Sequence, residues 1–112
     1  MLSKKCVPCL PAQAGEGGTP ALSPAAAKGL LKEAPNWVLD SGAKKISREF
    51  DCKDFRGSTA FVNKVAVLAE SEGHHPDIHI FYDKVRLELS THAADGLTEN
   101  DFILAAKINA LS

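Results

Sequence analysis

Residues 77–92 read DIHIFYDKVRLELSTH, and the alternation inside this stretch decides the fold. Val85, Leu87, Leu89 and Thr91 fall on one side of the chain, while Arg86, Glu88, Ser90 and His92 fall on the other. Successive side chains of a strand point to opposite faces, so this period of two predicts a strand with one buried face. The preceding DIHIFY is rich in β-branched and aromatic residues and joins KVRLELSTH tightly around Asp83, which predicts an antiparallel hairpin.

Upstream of the hairpin lies GSTAFVNKVAVLAESEG, residues 57–73. Phe61, Val62, Val65, Ala66, Leu68 and Ala69 form a wide apolar stripe at helical spacing, and Gly73 stands where a helix ends on a left-handed residue. Downstream, LTENDFILAAKINAL predicts a second helix opening at Thr98. Its apolar residues Phe102, Ile103, Leu104, Ala105, Ala106, Ile108 and Leu111 run almost all the way round, a pattern expected to meet more than one surface. Earlier still, NWVLD and KKISREFDC read as two short strands around Ser41-Gly42, with Ile46, Phe50 and Cys52 on one face of the second. Ahead of them, Ser23 suits an N-cap, Pro24 the first helical position and Pro35 a stop. The order is helix, strand, strand, helix, strand, strand, helix. It predicts an α+β fold, a two-layer sandwich of a four-stranded antiparallel sheet with three helices on one face.

The chain has 112 residues, enough for one compact domain, and is 45% apolar and 24% charged, as ordinary soluble globular proteins are. We assign residues 1–20 to a flexible N-terminal arm and residues 21–112 to the domain, because LPAQAGEGGTP is rich in Gly, Pro and Ala and lacks periodicity. A net charge of -1 gives no electrostatic footprint for nucleic acid, and no apolar run is long enough to span a membrane. The first residues lack the sustained apolar core of a secretory signal, and the default compartment is cytoplasmic. Three cysteines, Cys6, Cys9 and Cys52, argue against a disulfide framework. The C-V-P-C spacing of Cys6 and Cys9 has no second pair to complete a zinc site, although Cys52 and one histidine would supply further ligands on paper.

All four histidines fall between residues 74 and 92. His74 and His75 follow the helix cap, and His75 is held extended by Pro76. Pairing the hairpin strands brings the start of the first near the end of the second, so His74, His75 and His92 are expected at one end of the sheet. His79 alternates with Ile78 and Ile80 and points to the open face. Grouped imidazoles serve either metal binding or proton transfer near neutral pH. Adjacent His74 and His75 would point apart in extended backbone, and no helical H-x-x-x-H pattern is present, so proton transfer is the better reading and no metal is expected.

Glu70, His74-His75-Pro76, Tyr82, His92 and Asp101, in this spacing, resemble the signature of the pterin-4a-carbinolamine dehydratases, and the likeness covers roughly residues 20 to 110. Such a resemblance implies a four-stranded antiparallel sheet with helices on one face. It implies dehydration of a 4a-hydroxytetrahydropterin to quinonoid dihydropterin and water, in tetrahydrobiopterin recycling, with no cofactor. By resemblance His74 and His92 are the catalytic proton-transfer pair, with Asp101 orienting His92 or holding its protonated state. His75 and Glu70 are then the substrate-binding residues. Asp101 also suits a plain role in the first helical turn, and Glu70 that of an ordinary exposed helix residue. Tyr82 reads as packing, and Ile78 replaces an aromatic residue found in some relatives. The expected partners are a small pterin substrate and further copies of the chain, as homodimer or homotetramer. The alternative from a different class is a non-catalytic interaction module, a dimerisation cofactor, or a chaperone for a pterin cofactor.

Overall fold

The structure, a computed structural model, describes residues 21–111; residues 1–20, expected to form an arm and including Cys6 and Cys9, lie outside the described residues. The elements are α1 (Pro24–Leu30), β1 (Val38–Leu39), β2 (Ile46–Asp51), α2 (Phe55–Glu72), β3 (Asp77–Phe81), β4 (Lys84–Leu89) and α3 (Glu99–Asn109). Short 3-10 turns at Leu31–Glu33 and His92–Ala94 complete the chain. The expected α+β order is the observed one. The four strands form one antiparallel sheet in the order β1-β2-β4-β3, with two hairpins joined through a central β2–β4 pairing.

Alternation in β4 does what its sequence requires. Val85, Leu87 and Leu89 are fully buried, and they meet Phe50, Arg48 and Ile46 of β2 in register on the same face. That face packs against Phe61, Val65 and Ala69 of α2 and Phe102, Leu104, Ala105 and Ile108 of α3. The other face carries Ser47, Glu49 and Asp51 against Glu88, Arg86 and Lys84, a charged surface that needs no cover. Arg48 is the exception on the core face. Its guanidinium lies 4.3 Å from the Phe50 ring centroid and donates to Asn109, which also accepts from Trp37 Nε1 and donates to the Pro35 carbonyl. The end of α3 is thereby fastened to the segment that leads into β1.

The apolar circumference of α3 is used inside the chain. Residues 100–106 and Ile108 are all buried, enclosed by the sheet, α2 and the 31–33 turn. The expectation that this helix meets more than one surface is met within the chain, where the sheet, α2 and the 31–33 turn all flank it. Edge strand β3 is different. All five of its residues are exposed, because the helix layer stops short of it.

The hairpin end opposite the histidines is locked by backbone contacts. The turn residue Tyr82 has φ 53°, and its carbonyl accepts from the buried Ser58 hydroxyl at 2.7 Å, while the Cys52 N–H donates to the Asp83 carbonyl at 2.7 Å. Asp54 caps α2 by accepting from Gly57 N at 2.7 Å. Gly57 is required there, since a Cβ would lie 2.0 Å from the Cys52 carbonyl oxygen. Gly57→Ala must push α2 off this loop, and overpacking of this kind costs about 1–3 kcal/mol or more. A urea midpoint unchanged by Gly57→Ala would contradict this close approach.

Candidate active site

The site grows from how α2 ends. Gly73 takes φ 66° as the C-cap and returns its N–H to the carbonyls of Ala69 and Glu70, which turns the chain sharply out of the helix. His74 N–H donates back to Ala69 O at 3.2 Å, so the first histidine is held against the helix end. There its Nε2 meets Asp101 Oδ1 at 2.6 Å. Asp101 is 0% exposed, and its second oxygen accepts from the Thr91 hydroxyl at 2.8 Å and from Thr98 N at 2.9 Å. The last contact is half of a capping box around the start of α3.

His75 takes a separate carboxylate. Its Nε2 lies 3.0 Å from Glu70 Oε2, with both side chains mostly in solvent, so the pair contributes little to stability. His92 opens the 3-10 turn after β4 and is exposed. The loop that carries it is closed by Thr91 N–H donating to Gly96 O at 2.7 Å, with Leu97 buried beneath. Thr91, the residue before His92, is thus joined to His74 through one carboxylate. His79 lies on the open sheet face, 3.5 Å from Glu88 and stacked at 6.4 Å on Phe81.

The structure therefore brings His74 and Asp101 together and sets His75 on Glu70, with His92 on the neighbouring loop. One expectation changes: the Asp101 carboxylate contacts His74 rather than His92, because the chain turning at Gly73 passes over the start of α3. Its helix-start role holds at the same time. Tyr82 is 67% exposed at the far end of β3, neither packed in the core nor part of the site. Cys52 also lies at that far end, while Cys6 and Cys9 of the paper ligand set lie outside the described residues. Among the described residues no three His, Cys, Asp or Glu side chains converge as a metal site. Burial, reinforced by Asp51 and Asp83, raises the Cys52 thiol above its usual pKa despite a hydrogen bond to Ser58.

Sequence reading passed over Thr91 except as a member of the buried face of β4. The available signal was its hydroxyl, since a polar group on a buried face requires a partner. It also passed over the pair Glu72–Lys107, 3.0 Å apart with side chains 4% and 15% exposed, which ties the last turn of α2 to α3 beside the site.

A small antiparallel α+β domain that mounts imidazole–carboxylate pairs at one end of its sheet is the class defined by this fold and site. The sequence pattern described as Pterin 4 alpha carbinolamine dehydratase matches residues 20–111, and the chain belongs to that family. It is 41% identical over 99% of its length, and 96% of the relative's, to a putative pterin-4-alpha-carbinolamine dehydratase of Halorhodospira halophila. A protein of the same description from Methylococcus capsulatus is 42% identical over all of this chain and 93% of its own. The crystal structure of a transcriptional coactivator/pterin dehydratase from Brucella melitensis superposes with a TM-score of 0.76 at 33% identity, covering 81% of this chain and 97% of that one.

Removing Lys107 takes one cation from the nearly buried Glu72 carboxylate. Lys107→Met should lower stability by about 2 kcal/mol, below the ~3–5 kcal/mol of a fully buried pair because Lys107 keeps some solvent. Chemical denaturation checks it, and Glu72→Met/Lys107→Met should recover part of the loss.

Proposed function

We propose that the protein is a hydro-lyase that dehydrates 4a-hydroxytetrahydropterin to quinonoid dihydropterin and water, by histidine general acid/base catalysis, in tetrahydrobiopterin recycling. The observation that carries this reading is the buried Asp101 carboxylate holding His74 at the end of the sheet where His75 and His92 open to solvent. Family membership supplies the substrate class.

The reaction needs two proton movements and no change in oxidation state. One imidazolium donates a proton to the C4a hydroxyl, the C4a–O bond breaks, and water leaves. A neutral imidazole takes the proton from N5, whose electron pair forms the C4a=N5 double bond. His74 and His92 divide these tasks, His75 binds and orients the pterin, and Glu70 holds the His75 ring. Asp101 keeps His74 oriented and balances its charge when protonated. No nicotinamide, flavin or metal enters the scheme. The reading places the protein in the cytoplasm, where an odd set of thiols is kept reduced.

The rival reading, a dimerisation cofactor or pterin-cofactor chaperone, leaves Asp101 only its structural part at the start of α3 and needs no proton transfer at the imidazole beside it. Dehydratase assays separate the two. His74→Ala/His92→Ala should fold and lose the catalysed rate, each group in such chemistry contributing about 10²–10⁴-fold. A folded double variant with wild-type turnover would refute the assignment.

The same reading includes a homodimer or homotetramer. Among the described residues edge strand β3 has no strand on its outer side, and Ile78, Ile80, Phe81 and Tyr82 are exposed there. Exposed apolar edges of this kind are covered in stable proteins, and a second copy is the simplest cover. Light scattering at micromolar concentration should give a multiple of the monomer mass, and Ile80→Lys/Phe81→Glu should reduce it. A wild-type monomer would refute the assembly.

A further inference from the structure

Two buried threonines beside the site have a use that the histidine pattern alone does not reveal. Thr91 is 3% exposed and Thr98 5%, and their hydroxyl oxygens are 2.8 Å apart. Thr91 Oγ1 is also 2.8 Å from Asp101 Oδ2. A hydroxyl has one proton to give, and an ionised carboxylate only accepts. Thr91 therefore spends its proton on Asp101, and its oxygen must accept from Thr98. Donation runs one way, from the Thr98 hydroxyl to the Thr91 hydroxyl to Asp101 Oδ2.

The backbone N–H of Thr98 reaches the same Oδ2 at 2.9 Å. With two donors on one oxygen, rotation of the carboxylate would forfeit both in a site closed to water. The other oxygen, Oδ1, is thus kept facing His74 Nε2 at 2.6 Å. That contact needs a proton on Nε2. In the neutral ring Nδ1 then carries the free lone pair, and it is the nitrogen left for a ligand.

We propose that Thr91 and Thr98 are positioning residues which, through Asp101, lock His74 in the Nε2–H tautomer and so make Nδ1 the atom that exchanges the proton with substrate. The inference rests on the dehydratase reading for its consequence in turnover, but the tautomer itself is independent of that reading. Thr91 has a second link to the chemistry, because it immediately precedes His92 and its backbone closes the loop bearing that residue. One hydroxyl therefore ties the orientation of one imidazole to the placement of the other.

The test uses the full chain labelled with ¹⁵N-histidine, with His74 assigned by its loss in His74→Gln. In the neutral ring the wild-type spectrum should show a protonated Nε2 and a bare Nδ1. Thr91→Val, nearly isosteric but without the donor, should give mixed tautomers. It should also lower kcat by about tenfold with KM little changed, in the range for loss of an orienting hydrogen bond to a functional histidine. Thr91→Ser should restore both. A wild-type Nδ1–H tautomer overturns the inference without any variant, as does a Thr91→Val protein that keeps both tautomer and kcat. Absence of wild-type dehydratase activity would instead remove the proposed function, since the tautomer is read without turnover.

Discussion

One buried charge organises the end of this molecule. Asp101 lies in the first turn of α3, after Glu99 and Asn100 and just before the apolar run from Phe102, with no exposure to solvent. An isolated carboxylate there would be prohibitive, and it is tolerated because donors converge on it from three parts of the chain. His74 comes from the turn after α2, Thr91 from the end of β4, and Thr98 from the start of α3 itself. The positive end of the α3 dipole adds to the same effect. Moving any of the three segments would leave the charge short of a partner, so their relative positions are set together.

The remainder of the fold brings those segments to one place. Pairing of β2 with β4 supplies the central register, and the buried faces of both strands seat α2 and α3. At the far end, contacts from Ser58 and Cys52 hold the Tyr82-Asp83 turn, and the close approach at Gly57 fixes where α2 begins. Where α2 ends, Lys107 grips Glu72 two residues before His74. Helix α2 is thus anchored at both ends, and the histidine that follows inherits its position from those anchors. The Asn109 contacts do the same for the C-terminal end of α3.

This scaffold treats its histidines unequally. His74 is enclosed on a buried carboxylate, His75 leans on an exposed one, and His92 stands open on a closed loop. One end of the sheet thus carries three imidazoles in three different environments. The surface of edge strand β3 is a separate matter, since it has no part in holding the charge.

Element types and order were legible in the sequence because each rests on local signals: the alternation of Val85, Leu87 and Leu89, the stripe through Phe61, Val65 and Ala69, the proline and glycine caps. The grouping of His74, His75 and His92 also followed, from one hairpin and the spacing along it. What tertiary structure alone decided was the pairing of acids with bases. Asp101 and His92 are closer in sequence than Asp101 and His74, yet the carboxylate faces His74, because the turn at Gly73 carries the chain back across the start of α3. Likewise the enclosure of α3 depends on α2 and the 31–33 turn flanking it. Periodicity reports which side of an element is apolar; which neighbour covers that side, and which donor meets a buried charge, depends on distances set by the packing of all the elements at once.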